Sequence, residues 1–151
     1  MSSADVRSSL REGLEGLAAD DGDLGEMVEM ARKLAAVVGP YAATEFKCLL
    51  VPLPPTPPVS YPGVGGIERG WREFGEGFGS VRAELESIDE SESALVMFVR
   101  QSVVTAHGGV EMSQPGTLVV AVEGEHVKNV QFHLDRELAI RAGGLTAGPD
   151  A

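Results

Sequence analysis

The sequence predicts a single α+β domain, with helices gathered in its first half and a run of antiparallel strands in its second. Two observations carry that reading. Apolar residues recur every three or four positions in most of the first 78 residues, then every second position from Val81 onward. The chain has 151 residues, the usual size of one domain, and shows no internal repeat.

Val6, Leu10, Leu14 and Leu17 form one helical stripe. "ADDGD" interrupts it, and Asp23 is a candidate cap for a second helix striped by Leu24, Met27, Ala31, Leu34 and Val38. Gly39-Pro40 stops that helix. "TEFKCLLV" (44–51) reads as a strand. "PLPPTPPVSYP" holds six of the nine prolines, which excludes a helix or central strand and leaves an extended loop: a connector, a lid or a proline-rich ligand. Val64, Ile67, Trp71, Phe74 and Phe78 then step along one face of a third helix. Its glycines at 70, 75 and 77 each cost about 1 kcal/mol, and burial of the aromatics offsets that. Val81, Ala83 and Leu85 begin a half-buried strand. "DESES" turns the chain into 94–106, Gly108-Gly109 turns it into 110–122, with Pro115 marking a bend, and "EGE" turns it into 126–134. Asp135 caps a last short helix that Gly143-Gly144 closes, and 146–151 is a frayed tail.

Composition narrows the function. Only 12 basic residues stand against 23 acidic ones, a formal charge of −11, which argues against nucleic acid and anionic membrane surfaces. No apolar run reaches the roughly 18 residues of a membrane helix, and "MSSADVRSSLREG" has no apolar signal core, so a cytoplasmic protein is expected. Cys48, the single cysteine, lies in an apolar run that predicts a buried, inert thiol. No spacing suggests a metal, and no cofactor is implied.

Two-residue turns at Gly108-Gly109 and Gly124-Glu125 would place Val96, Phe98, Arg100, Thr117, Val119, Val130 and Phe132 on one sheet face. Leu95, Met97, Val99, Leu118, Val120, Asn129, Gln131 and His133 would share the other. Both faces are then largely apolar. Helices cover one, and a second copy is expected on the other, making a homodimer through the sheet.

Three stretches carry a family resemblance: "ADDGDLGEM", "YPGVGGIERGWREFGEGF" and "VVAVEGEHVKNVQFHLDRELAIRAGGL". In order and spacing they resemble the SnoaL-like domains of the nuclear transport factor 2-like superfamily, across most of residues 5–145. The resemblance implies a cone-shaped, curved antiparallel sheet of four to five strands, with three to four helices packed on its concave face around a pocket. Members include cyclases, isomerases, dehydratases, epoxide hydrolases and proteins that only bind small molecules. The inward Asp of the hydrolase-like members falls here at Phe132, and the aromatic before the closing Asp at His133.

The candidate pocket residues are Tyr61, Trp71, Phe74, Phe98, Thr117 and Phe132. Trp71 has two roles open to it, core packing and ligand stacking. Arg100 is either ion-paired, a snorkelling side chain, or an anion or carbonyl anchor, and His133 either an interface or core histidine or an acid–base group. Three functions follow: binding of a small hydrophobic molecule; cyclase, isomerase or dehydratase chemistry on a carbonyl through His133 or Arg100; and association through a module whose pocket is vestigial.

Overall fold

The computed structural model describes residues 2–76 and 78–146. Of the expected tail only Thr146 falls within them, and Gly77 lies outside. Among the described residues the order is α1 (Ser3–Glu15), β1 (Asp23–Glu26), α2 (Met27–Val38), a 3-10 turn, β2 (Ala42–Val51), β3 (Val59–Pro62), α3 (Gly65–Gly75), β4 (Phe78–Glu90), β5 (Ala94–Thr105), β6 (Glu111–Glu123), β7 (His126–His133) and α4 (Arg136–Ala142). None of these helices is long and apolar enough to cross a membrane.

The strands form one curved sheet in the order β1-β4-β5-β6-β7-β2-β3. Seven strands, rather than four or five, take part. The additions are the short edge strands β1 and β3. Neighbours run antiparallel except β2 and β7, where Cys48 stands opposite Val130 and Leu50 opposite Phe132. Three bulges bend the meander, the first at Gly79 between Phe78↔Thr105 and Ser80↔Val104. Glu86 is the extra residue between Leu85↔Val99 and Ser87↔Phe98, and Lys128 the extra residue between Ala121↔Asn129 and Val122↔Val127.

The inner face packs Leu95, Met97, Val99, Leu118, Val120, Val130 and Phe132 against the stripes of α1, α2 and α3. The capping box of Ser2 and Asp5 starts α1. Glu26, not Asp23, caps α2, accepting from the amides of Val28 and Glu29, while Asp23 lies in β1 and accepts from Gly25. The third helix is shorter than its stripe predicts: it ends at Gly75, and Phe78 already opens β4.

Two expectations about the faces are corrected. The Lys128 bulge shifts β7 by one residue. Val130 and Phe132 therefore join the inner face, and Asn129, Gln131 and His133 join Val96, Phe98, Thr117 and Val119 on the outer one. The apolar centre of that outer face is covered from within the chain. Asp135 caps α4, and Ala139, Ile140 and Leu145 pack on Ala94, Val96, Phe98 and Val119. Three helices thus lie on the inner face and the fourth on the outer.

Candidate functional site

The site is built where α3 crosses the row Val59–Leu50–Phe132, which runs across β3, β2 and β7. Glycines set how closely the helix comes down. A Cβ on Gly66 would lie 2.5 Å from the Tyr61 carbonyl oxygen, and one on Gly70 would lie 3.1 Å from the Tyr61 ring. Only bare backbone lets α3 rest on β3 at that distance.

The approach drives Trp71 into the core, where it is 2% exposed. Its ring meets Phe132 at 4.4 Å and Phe74 at 5.3 Å between centroids, both edge-on. Such pairs contribute about 0.5–1.5 kcal/mol each beyond their burial. Phe132 occupies the space left by Gly116, where a Cβ would lie 2.9 Å from its ring. The aromatic rings therefore fill the centre of the cone.

Beside them an apolar cleft of about 210 Å³ stays open, walled by Leu50, Val59, Phe74, Phe132 and Leu134, with Tyr61 and Glu73 as its polar members. Burial, and then the Glu73 carboxylate beside it, hold the Tyr61 hydroxyl above its ordinary pKa. The cleft thus offers a greasy wall and one acceptor–hydroxyl pair. On the other side of α3 lies a second cleft of about 290 Å³, with Met27, Trp71, Phe78 and Val81 in its lining and Arg32 and Arg72 among its charged residues. Both arginines pair with Glu68, which keeps that carboxyl below the usual range.

The outer face holds a different group. Phe98, Thr117 and His133 stand in one row across β5, β6 and β7. The His133 ring is buried. Its Nε2 lies 2.8 Å from Gln131 Oε1, and Gln131 Nε2 donates to Asn129 Oδ1 at 2.9 Å. The Gln131 oxygen accepts, so His133 carries its proton on Nε2, while Nδ1 and the Thr117 hydroxyl are buried with no partner among the described residues. Burial lowers the His133 pKa, against a smaller opposing pull from Asp135. Arg100 is exposed, with Nη1 3.5 Å from Ser113 Oγ. Above Phe98 lies the Arg136 guanidinium, 5.2 Å from the ring centroid, which donates to Glu86 at 2.7 Å and to the Val99 carbonyl at 3.1 Å.

Of the eight sequence candidates, the structure therefore brings Tyr61, Trp71, Phe74 and Phe132 together beneath α3. Phe98, Thr117, His133 and Arg100 share the outer face, away from that cleft. His133 and Arg100, expected on opposite faces, lie on the same one. Sequence reasoning missed Glu73, Leu50 and Val59. It also missed Gln101, which is fully buried on the inner face of β5 and accepts from Gln114 at 3.1 Å. The even row of apolar neighbours in "CLLV" was the one available signal for Leu50; nothing local marks Glu73 as Tyr61's partner.

No protein-family model matches the chain, and no curated protein matches it. Solved structures do. A protein from Jannaschia sp. CCS1 assigned as a SnoaL-like polyketide cyclase superposes with a TM-score of 0.58 at 15% identity, over 94% of each chain. A nuclear transport factor 2-like protein of unknown function from Burkholderia pseudomallei K96243 gives 0.56 at 16% identity, over 97% of this chain and 100% of that one. TerC, co-crystallised with polyporic acid, gives 0.54 at 10% identity, over 93% of this chain and 96% of that one. At these identities the likeness is one of fold. Helices on the inner face, the meander, the returning β2 and the superpositions together give this chain the nuclear transport factor 2-like fold, which it shares with the SnoaL-like structure above.

Proposed function

We propose that the protein binds a small, largely apolar molecule carrying one hydroxyl or amine donor. The observation that carries this reading is the cleft beneath α3, whose walls are apolar and whose Glu73 carboxylate stands beside the Tyr61 hydroxyl. An apolar wall with a few placed polar groups is how small-molecule sites combine affinity with orientation. A neighbour of the same fold, TerC, was co-crystallised with polyporic acid, which supports small-molecule binding as a role for this fold. Carbonyl chemistry through His133 or Arg100 finds no support in their placement, since both lie on the outer face.

The test is a thermal-shift screen of small phenols and aryl amines against the wild type and Val59→Trp. Val59 lies on the edge strand at the rim of the cleft and is 47% exposed, so the larger side chain fits without repacking the core. Binders should raise the wild-type Tm and leave Val59→Trp unmoved. Equal shifts in both proteins would place binding elsewhere.

The expected homodimer through the sheet stands as a separate proposal. Beyond α4 the outer face offers Arg100, Ser102, Ser113 and Pro115, which are exposed and mostly polar. Light scattering on the eluting protein decides it: a mass of twice the 15.9 kDa chain supports the dimer, and a single-chain mass removes it.

A further inference from the structure

The two clefts that flank α3 share no lining residue and are separated by a cluster of aromatic side chains. Trp71 and Phe78 line the cleft on the α2 side, and Phe74 and Phe132 line the cleft on the β7 side. Phe74 is the node between them, with its centroid 5.3 Å from Trp71, 5.7 Å from Phe78 and 6.1 Å from Phe132. The β7-side cleft alone falls below the roughly 300–1,000 Å³ of a typical ligand site, and the two together lie within that range.

The helix that carries the partition is held unevenly. Its first half is clamped on Tyr61 through Gly66 and Gly70. Its last turn reaches Tyr61 through the Glu73 side chain rather than by close backbone packing. A Cβ on Gly75 would meet nothing within 4 Å, and the Glu76 amide reaches the Glu73 carbonyl only at 3.4 Å, the long end of a hydrogen bond. Phe74, on that last turn, is half-buried rather than locked in the core.

Building on the binding role proposed for the β7-side cleft, we infer that the two clefts are halves of one channel. Its ligand is an elongated molecule with a hydroxyl-bearing aromatic head at Tyr61–Glu73 and an apolar tail that displaces Phe74 and passes Trp71 into the α2-side cleft. The head donates its hydroxyl proton in a hydrogen bond to the Glu73 carboxylate. The tail replaces ring–ring contacts with its own.

Trp71 is the only tryptophan, so its emission, excited at the red edge where phenols do not absorb, reports on the partition directly. The experiment titrates the wild type, Phe74→Ala and Phe74→Leu with para-ethylphenol, para-butylphenol and para-hexylphenol. In the wild type, each methylene beyond butyl should tighten binding by about fourfold, equivalent to ~0.8 kcal/mol, and the longer tails should shift Trp71 emission. Phe74→Ala should bind para-ethylphenol more weakly than the wild type yet bind para-hexylphenol at least as tightly. Phe74→Leu should fall between. Affinity that levels off at para-butylphenol in every protein, with para-ethylphenol still bound, overturns the channel and leaves the cleft. Failure of the wild type to bind even para-ethylphenol removes both. Should Phe74→Ala not fold, the wild-type and Phe74→Leu series decide alone.

Discussion

Cys48 and His133 show what burial does to a single group. The Cys48 thiol is pushed up to about 12 by burial on the inner face of β2. Thiolate is the reactive form, so the folded protein should hold on the order of a thousandfold less of it near pH 8 than an unfolded chain. Iodoacetamide should leave the native protein unlabelled and label it rapidly in urea, as mass spectrometry would show. His133 moves the other way for the same reason. Its folded pKa lies below its unfolded value of about 6.5, so in acid the unfolded chain takes up more protons than the folded one. Stability from this group is complete above about pH 6.5 and declines as pH falls below it, by at most ~1.4 kcal/mol per unit. Melting curves from about pH 8 to 5 should fall more steeply for the wild type than for His133→Gln, which keeps a donor for Gln131 but does not titrate. Matching slopes would mean that His133 is not the buried group. The inertness of Cys48 was legible from its apolar neighbours; the burial of His133 on the outer face was not, because it depends on a bulge five residues earlier.

At the scale of elements, α3 carries two glycines with opposite expectations. Gly66→Ala drives a Cβ into the Tyr61 backbone and should cost about 1–3 kcal/mol. Gly75→Ala meets open space at an ordinary helical angle and should stabilise by up to about 1 kcal/mol. Urea unfolding of the pair measures both; equal signs would contradict the uneven hold on α3. The elements themselves divide by how much of their order is local. The stripes of α1 and α2 and the alternation from Val81 to Leu85 are properties of the segment, and the sequence displayed them. The strands β1 and β3 are four residues each and exist only because β4 and β2 present free edges, so no local pattern announces them. The third helix stops before Phe78 because β5 offers that residue a pairing partner at Thr105, a tertiary preference that overrides the helical spacing. The Lys128 bulge is likewise invisible in "HVKNVQFH", where an unbroken alternation reads equally well, and it exchanged the faces of Phe132 and His133.

At the scale of the molecule, the sheet is a two-sided object that the chain closes unequally. Three helices seal the inner face, while α4, only seven residues long, holds the outer one through Ala139, the Arg136–Glu86 pair and the close seat of Gly143 against Val96. Charging that seam should release it. Ala139→Asp places a carboxylate at a fully buried position and should free α4, exposing Val96, Phe98 and Val119. We expect the variant to bind a hydrophobic dye and to self-associate on sizing, with far-ultraviolet dichroism close to that of the wild type. A monomer that binds no dye would show that something other than α4 shields this face.

The parallel pairing of β2 with β7 also fixes when this protein can be finished. Cys48 and Leu50 have no inner-sheet neighbour until Val130 and Phe132 have been made, near the far end of the chain. During synthesis, α1, α2, β2 and α3 therefore leave the ribosome as a helical half with Trp71 awaiting its partner. Joining ends so distant closes a long loop, which places folding among the slower, milliseconds-to-seconds cases. A nascent chain halted before β7 should accordingly present its aromatic surface to chaperones, and the cleft beneath α3 lacks its Phe132 wall until β7 has been made.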